Sequence, residues 1–197
     1  MSGADERSHL VATPFGHLAI GAAWALVVAE RPAPLGWLAL GAVCAAAADL
    51  DFLPGLVVAD PARFHHGASH SVVGATALAL LVLAAWRRRG PIGWRAVLLV
   101  SGAFASHLAA DCVTHDPGAR RGLPLAWPFS SARILAPVWL VPAVMRAWPP
   151  SWGWLGHTAW LVLTEMALVL PLLAGAWLHA GRPGASLLRW RNGGTPA

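Results

Sequence analysis

Histidine and aspartate recur along this chain in short patterns: His17, Asp49-Leu50-Asp51, His65-His66 with His70, and His107 four residues before Asp111. Imidazole nitrogens and carboxylate oxygens, with no thiolate among them, form a donor set for a divalent cation. Zn²⁺ is the first choice, then Mn²⁺, Fe²⁺ or Mg²⁺. On a helix His107 and Asp111 stand at i and i+4, so both leave one face a turn apart and reach one ion. His65 and His70 lie five apart across a loop–helix junction. Asp49 and Asp51 cannot share a face of a regular helix, but a helix end loosened ahead of Pro54 would turn both inward. Three protein ligands with an open position lower the pKa of bound water to about 7, and paired carboxylates also allow two bridged ions. Asp51 counts both as a donor and as first choice for general base, with His66 the second catalytic candidate.

These side chains need elements to position them, and composition says in what solvent. Of 197 residues, 57% are hydrophobic and 12% charged, against about 45–50% and about 25% in soluble domains. So little charge cannot cover a water-soluble globule. Twelve tryptophans and no tyrosine fit the membrane–water interface, where the indole ring is buried and its N–H stays wet. The net charge of +5 is carried by arginine without lysine, and the arginines cluster in short loops such as Arg87-Arg88-Arg89. That is membrane-protein patterning. No basic stripe with interleaved aromatics points to nucleic acid. Cys44 and Cys112 lie inside apolar runs and read as small buried hydrophobes. The polar start, Met1 to Ser8, does not read as a cleavable signal.

Apolar runs predict spans near Phe15–Ala29, Leu35–Val58, Ser71–Trp86, Trp94–Val113 and Trp154–Leu178. The Pro-containing Ile134–Ala147 run reads as a re-entrant or interfacial segment. The expected fold is all-α: a polytopic transmembrane bundle of four to five spans. Residues 1–180 form one domain with a metal site, and 181–197 a disordered tail. Threading the spans back and forth brings His17, Asp49, Asp51, His65, His66, His70, His107 and Asp111 to a single membrane face. The arginine triplet leans the opposite face toward the cytoplasm, which would put the site outside. Taken singly, each residue has a structural reading: a helix-end hydrogen bonder, a cap, a solvated ring, a buried ion pair. Taken together those readings need several coincidences, because ionisable groups in spans are expensive and usually functional. His9, His157 and His179 read as interfacial. Glu165, alone in mid-span, reads as a packed, protonated carboxyl or as a supporting group.

Five segments occur in a recognisable order: Thr13-Pro14-Phe15-Gly16-His17, Ala48-Asp49-Leu50-Asp51, Phe64-His65-His66-Gly67-Ala68-Ser69-His70-Ser71, Ser106-His107-Leu108-Ala109-Ala110-Asp111 and Gly122-Leu123-Pro124-Leu125-Ala126-Trp127-Pro128-Phe129. Over about residues 13–130 the chain resembles the bacterial membrane-bound metal-dependent hydrolases of the inner membrane. Position by position, the resemblance implicates His17, Asp49, Asp51, His65, His70, His107 and Asp111 as the polar core. Two positions depart from the family pattern: His66 replaces an arginine and Ser69 a threonine. Losing that arginine weakens an anion clamp, and an insertion from His115 to Arg121 brings Arg120 and Arg121 as substitute substrate-binding cations.

The sequence therefore points to a multi-pass inner-membrane hydrolase. Its partners would be the bilayer and a lipid-like ester or phosphoester substrate, and its nucleophile metal-activated water. Two other classes stay open. A proton- or ion-coupled transporter would carry ionisable groups through the full membrane depth. A non-enzymatic regulator would keep a metal only for stability.

Overall fold

The structure, a computed structural model, describes residues 14–30, 33–58, 63–114, 122–138, 140 and 152–180. The tail expected over 181–197 and most of the expected re-entrant run lie outside these residues. The described chain is helical: α1 (Pro14–Val28), α2 (Leu35–Ala46), a 3₁₀ segment (Ala47–Phe52), α3 (Leu53–Val57), a 3₁₀ turn (Ala68–His70), α4 (Val72–Arg87), α5 (Trp94–Cys112) and α6 (Trp152–Ala180). The only strand-like pairing among the described residues is an isolated bridge between Leu123 and Ile134.

Small residues let the helices approach. α1 and α2 cross where Gly21 and Gly41 meet, so closely that a Cβ on either would strike the other's carbonyl oxygen. Gly102 of α5 gives way in the same manner to the indole of Trp24, whose Nε1–H donates to Leu98 O at 2.9 Å. The core is correspondingly fine-grained. Cys44, Ala45, Ala75, Ala79, Val100, Ala103 and Phe104 pack α2, α4 and α5 together, while Ala23, Leu26 and Ala29 of α1 pack on Ala176 of α6. Both cysteines are free thiols. α4 begins at Ser71, whose Oγ accepts from Gly74 N at 2.9 Å, a helix N-cap.

The outer surface is apolar. Leu80 and Leu81 of α4 are 61% and 66% exposed, and Leu163, Leu168 and Leu170 of α6 also face outward. A surface of this kind suits lipid, since it would be a liability in water. Two helical runs, Leu35–Val57 and Leu155–His179, are long and apolar enough to cross a membrane. This corrects the four to five spans expected from the sequence. α1 and α4 are apolar but only 15 and 16 residues long, about 22–24 Å at 1.5 Å per residue, short of a core about 30 Å thick. α5 has 19 residues but carries Arg95, His107 and Asp111, which lower its hydropathy.

The Gly21–Gly41 crossing sets the depth at which α1 meets α2. Replacing Gly21 by Val is expected to cost about 1–3 kcal/mol through overpacking against backbone. It should lower the Tm in detergent, whereas Gly156→Ala, where a Cβ meets open space, should leave it unchanged. Equal melting curves for both variants would refute the close-approach account.

Candidate metal centre

Each donor reaches the site for a local reason. His17 lies one turn inside α1, which the Gly21–Gly41 crossing holds against α2. Past Ala46 the α2 run tightens into 3₁₀ geometry. There residues two apart point about 120° from one another instead of about 160° in an α-helix, so Asp49 and Asp51 both turn toward the bundle. His65, His66 and His70 come from the tight turn before α4, where His66 adopts a left-handed φ of 54°. His107 and Asp111 sit a turn apart near the end of α5. All of these except Asp51 are buried, and His17, His70 and His107 are at most 1% exposed.

Two groups of donor atoms form, each mutually within 4.8 Å: His17, Asp49, His107 and Asp111, and His65, His66 and His70. Four atoms drawn from both groups are packed still more closely. His70 Nε2 and His107 Nε2 are 3.0 Å apart. Asp111 Oδ2 lies 3.4 Å from the first and 3.1 Å from the second. Asp49 Oδ1 lies 3.5 and 3.7 Å from the same nitrogens. Ligands at about 2.0–2.2 Å around a four-coordinate ion stand about 3.3–3.6 Å apart, so this is the size of a tetrahedral cation cage.

The hydrogen bonds behind the rings show which nitrogens are available. His107 Nδ1–H donates to the carbonyl of Ala45 at 2.6 Å, which leaves its Nε2 with a lone pair. Ser69 Oγ–H donates to Asp51 Oδ2 at 2.6 Å, so Ser69 Oγ can only accept from His70 Nδ1 at 3.0 Å. His70 Nδ1 also stands 3.0 Å from Asp51 Oδ2, which leaves its Nε2 as the atom that faces the cage. His65 Nδ1–H donates to Asp51 Oδ1 at 2.8 Å. The Nε2 atoms of His70 and His107 thus face each other across 3.0 Å, a contact that holds at most one proton, with carboxylate oxygens on either side. Neither oxygen of the buried Asp111 carboxylate receives a hydrogen bond. His17 Nε2 comes within 3.2 Å of Asp111 Oδ1, yet neither of its ring nitrogens makes an aligned hydrogen bond. Acceptors crowded together away from water repel and are costly to leave unmet. A divalent cation satisfies them at once, and the residues fit one.

The field is visible in the two loop histidines. Burial alone would lower His70, but hydrogen bonds to Asp49 and Asp51 and the charge of Asp111 outweigh it and lift its pKa to about 9. His65 drops to about 4: burial and the neighbouring His66 and His70 prevail over its bond to Asp51.

The sequence-predicted residues thus come together, with a division among them. His17, Asp49, His70, His107 and Asp111 surround the cage. Asp51 stands behind it, holding the Nδ1 sides of His65 and His70 and accepting from Gly67 N at 3.4 Å. His65 Nε2 is 3.9 Å from Asp49 Oδ1 and His66 Nε2 4.0 Å from Asp111 Oδ2, at the rim. Arg120 and Arg121 lie outside the described residues. Sequence reasoning gave no role to Ser69 or Arg133 and left Glu165 open between a packed carboxyl and a supporting group. Ser69 fixes a tautomer. Arg133 donates from Nε to Gly122 O at 3.0 Å and from Nη2 to His66 O at 3.2 Å, tying the segment after α5 to the histidine turn. Glu165 of α6 is buried over Gly16, its Oε2 3.0 Å from where a Cβ on that residue would sit. Two lone arginine and glutamate positions carry no spacing signal that would have found them.

Carboxylates that orient ligating imidazoles typically contribute 10–100-fold to metal affinity. Asp51→Asn is therefore expected to weaken metal binding by about 10–100-fold while keeping all the cage donors, as measured by competition with a chelator. Unchanged affinity would remove Asp51 from this role.

The cage sits among helices whose outer faces are apolar, and the comparisons with known proteins agree with that setting. No curated protein and no solved structure matches the chain. A family model described as YdjM inner membrane protein matches residues 13–185, a span that includes every donor of the cage. The chain belongs to the YdjM inner membrane protein family.

Proposed function

We propose that this membrane protein is a metal-dependent hydrolase acting at the membrane surface on an amphiphilic ester or phosphoester. In this reading the two long helices cross the membrane, and α1, α4 and α5 pack with them around the donors. The observation that carries the proposal is the pair of opposed Nε2 atoms of His70 and His107, 3.0 Å apart and flanked by Asp49 and Asp111. When bound there, a divalent ion, Zn²⁺ first and Mn²⁺, Fe²⁺ or Mg²⁺ after it, supplies Lewis acidity toward a substrate oxygen and activates water near neutral pH.

The chain's own groups divide the remaining work. Both Asp51 oxygens are taken by His65, Ser69 and Gly67, so Asp51 acts through His65 instead of meeting water directly. It holds the Nδ1 side and presents Nε2, which makes no hydrogen bond, to receive a proton at the rim. His66 stands beside it as a second group on the approach to Asp111. Arg120 and Arg121, which follow α5 in sequence, would hold an anionic headgroup. An apolar groove of about 460 Å³ supports an amphiphilic substrate. It is lined by Ile20 and Trp24 of α1, Ser106 of α5 and Pro171 and Ala176 of α6. Ile20 is one turn from His17 and Ser106 adjoins His107, so an acyl chain lying there would leave its head at the donors.

A transport reading needs polar groups spread through the membrane depth. Glu165, the one mid-span acid that hinted at such a path, packs at Gly16 beside the cage and joins the same level. The test uses the full chain in vesicles with a panel of labelled lipid esters and phosphoesters. Chelator should abolish turnover and added Zn²⁺ or Mn²⁺ restore it. His65→Ala should cut the rate about 10²–10⁴-fold, the range for a lost proton-transfer group, with metal content kept. Turnover that survives chelation would defeat the proposal. Chelation that melts the protein, with no substrate turned over, would favour a regulator with a structural metal.

A further inference from the structure

We infer that the centre takes two divalent cations, bridged by Asp49 and Asp111, with His17 and Glu165 serving the second. This deepens the hydrolase reading and rests on its first ion. The two carboxylates divide their oxygens between different nitrogens. Asp111 presents Oδ2 to His70 and His107 at 3.4 and 3.1 Å, and Oδ1 to His17 Nε2 at 3.2 Å. Asp49 does likewise: Oδ1 lies 3.5 and 3.7 Å from His70 and His107, and Oδ2 lies 3.9 Å from His17 Nε2. That is the arrangement of bridging carboxylates, which hold paired ions about 3.5–4 Å apart.

His17 is an independent sign. Its ring is 1% exposed and stacks on His107 with centroids 4.1 Å apart, yet neither nitrogen makes a hydrogen bond. A buried imidazole with both polar atoms unserved is costly unless one of them ligates. Glu165 approaches the same ring from α6. It is 2% exposed, and Gly16, which precedes His17, leaves the space its carboxylate fills. Its charge also bears on the His17 ring. His65 offers a weaker berth. Its Nδ1–H is given to Asp51, and it faces Asp49 Oδ1, the oxygen already turned to the first ion.

The test loads the full detergent-purified chain with Mn²⁺ after stripping and reads metal per chain together with electron paramagnetic resonance. Wild type should hold two ions with an exchange-coupled signal. His17→Ala, His17→Gln and Glu165→Gln should each hold one ion, uncoupled, with helical circular dichroism kept, while His65→Ala keeps two. One ion in saturated wild type, two in the His17 variants, or loss of the second ion only in His65→Ala would overturn the assignment. Two ions retained in Glu165→Gln would overturn the part given to Glu165. A single ion with chelator-sensitive turnover would leave the hydrolase standing and the second ion refuted. Two coupled ions without turnover of any substrate would uphold the pair and refute the hydrolase.

Discussion

The structure is organised around a buried collection of acceptors that cannot satisfy one another. Asp111 lies among three imidazole edges, none of which gives it a hydrogen bond, and two of those imidazoles have their donor sides tied elsewhere. A bundle that keeps such groups from water loses several hydrogen bonds and gains nothing unless positive charge enters. The supporting bonds fix which ring nitrogen faces the cage. The carbonyl of Ala45 and the Asp51–Ser69 pair hold both Nδ1 hydrogens away from the cage. The second layer thus determines the chemistry of the first, and it is built from residues that local geometry places there without further strain.

The helices serve that arrangement by coming close. In a lipid solvent apolar side chains gain little from contact with one another, so association rests on packing and polar contacts. Gly21, Gly41 and Gly102 give up side chains so that backbones and indole rings can meet. Ala-rich surfaces fill the rest. The short α1 and α4 follow from the same plan: each ends near the donors, where a loop or a 3₁₀ turn can aim a side chain inward. An element extended to full membrane thickness at that end would carry its backbone past the cage.

Much of this was legible in the sequence, and the reasons differ by residue. His107 and Asp111 were readable because an i, i+4 pair on an apolar helix has one geometry. The helix limits were close because apolar runs mark them. Asp49 and Asp51 were readable only as a pair that a regular helix would separate, and the 3₁₀ segment resolves that conflict. Their unequal roles were hidden, since which of two aspartates ligates depends on the turn that brings Ser69 and His65 to Asp51. Arg133 was out of reach, and Glu165 could be flagged but not assigned, because each acts across the fold with no partner close in sequence. The span count went astray because apolar length was read generously at α1, α4 and α5.

The departures from the family pattern then acquire a physical sense. At Ser69 the part that acts is the hydroxyl, which passes a hydrogen bond from His70 to Asp51; a threonine would offer the same oxygen, so the change preserves the tautomer. At His66 an arginine would bring a fixed charge to the rim, where this chain places an imidazole. Arg133 instead grips the His66 carbonyl and holds the turn from behind, where its charge faces backbone and not substrate. The hydroxyl behind the cage is therefore kept in kind, while the imidazole at the rim is the departure from the pattern the chain resembles. One turn thus does two separate jobs, holding the donors from behind and presenting a rim to whatever approaches them.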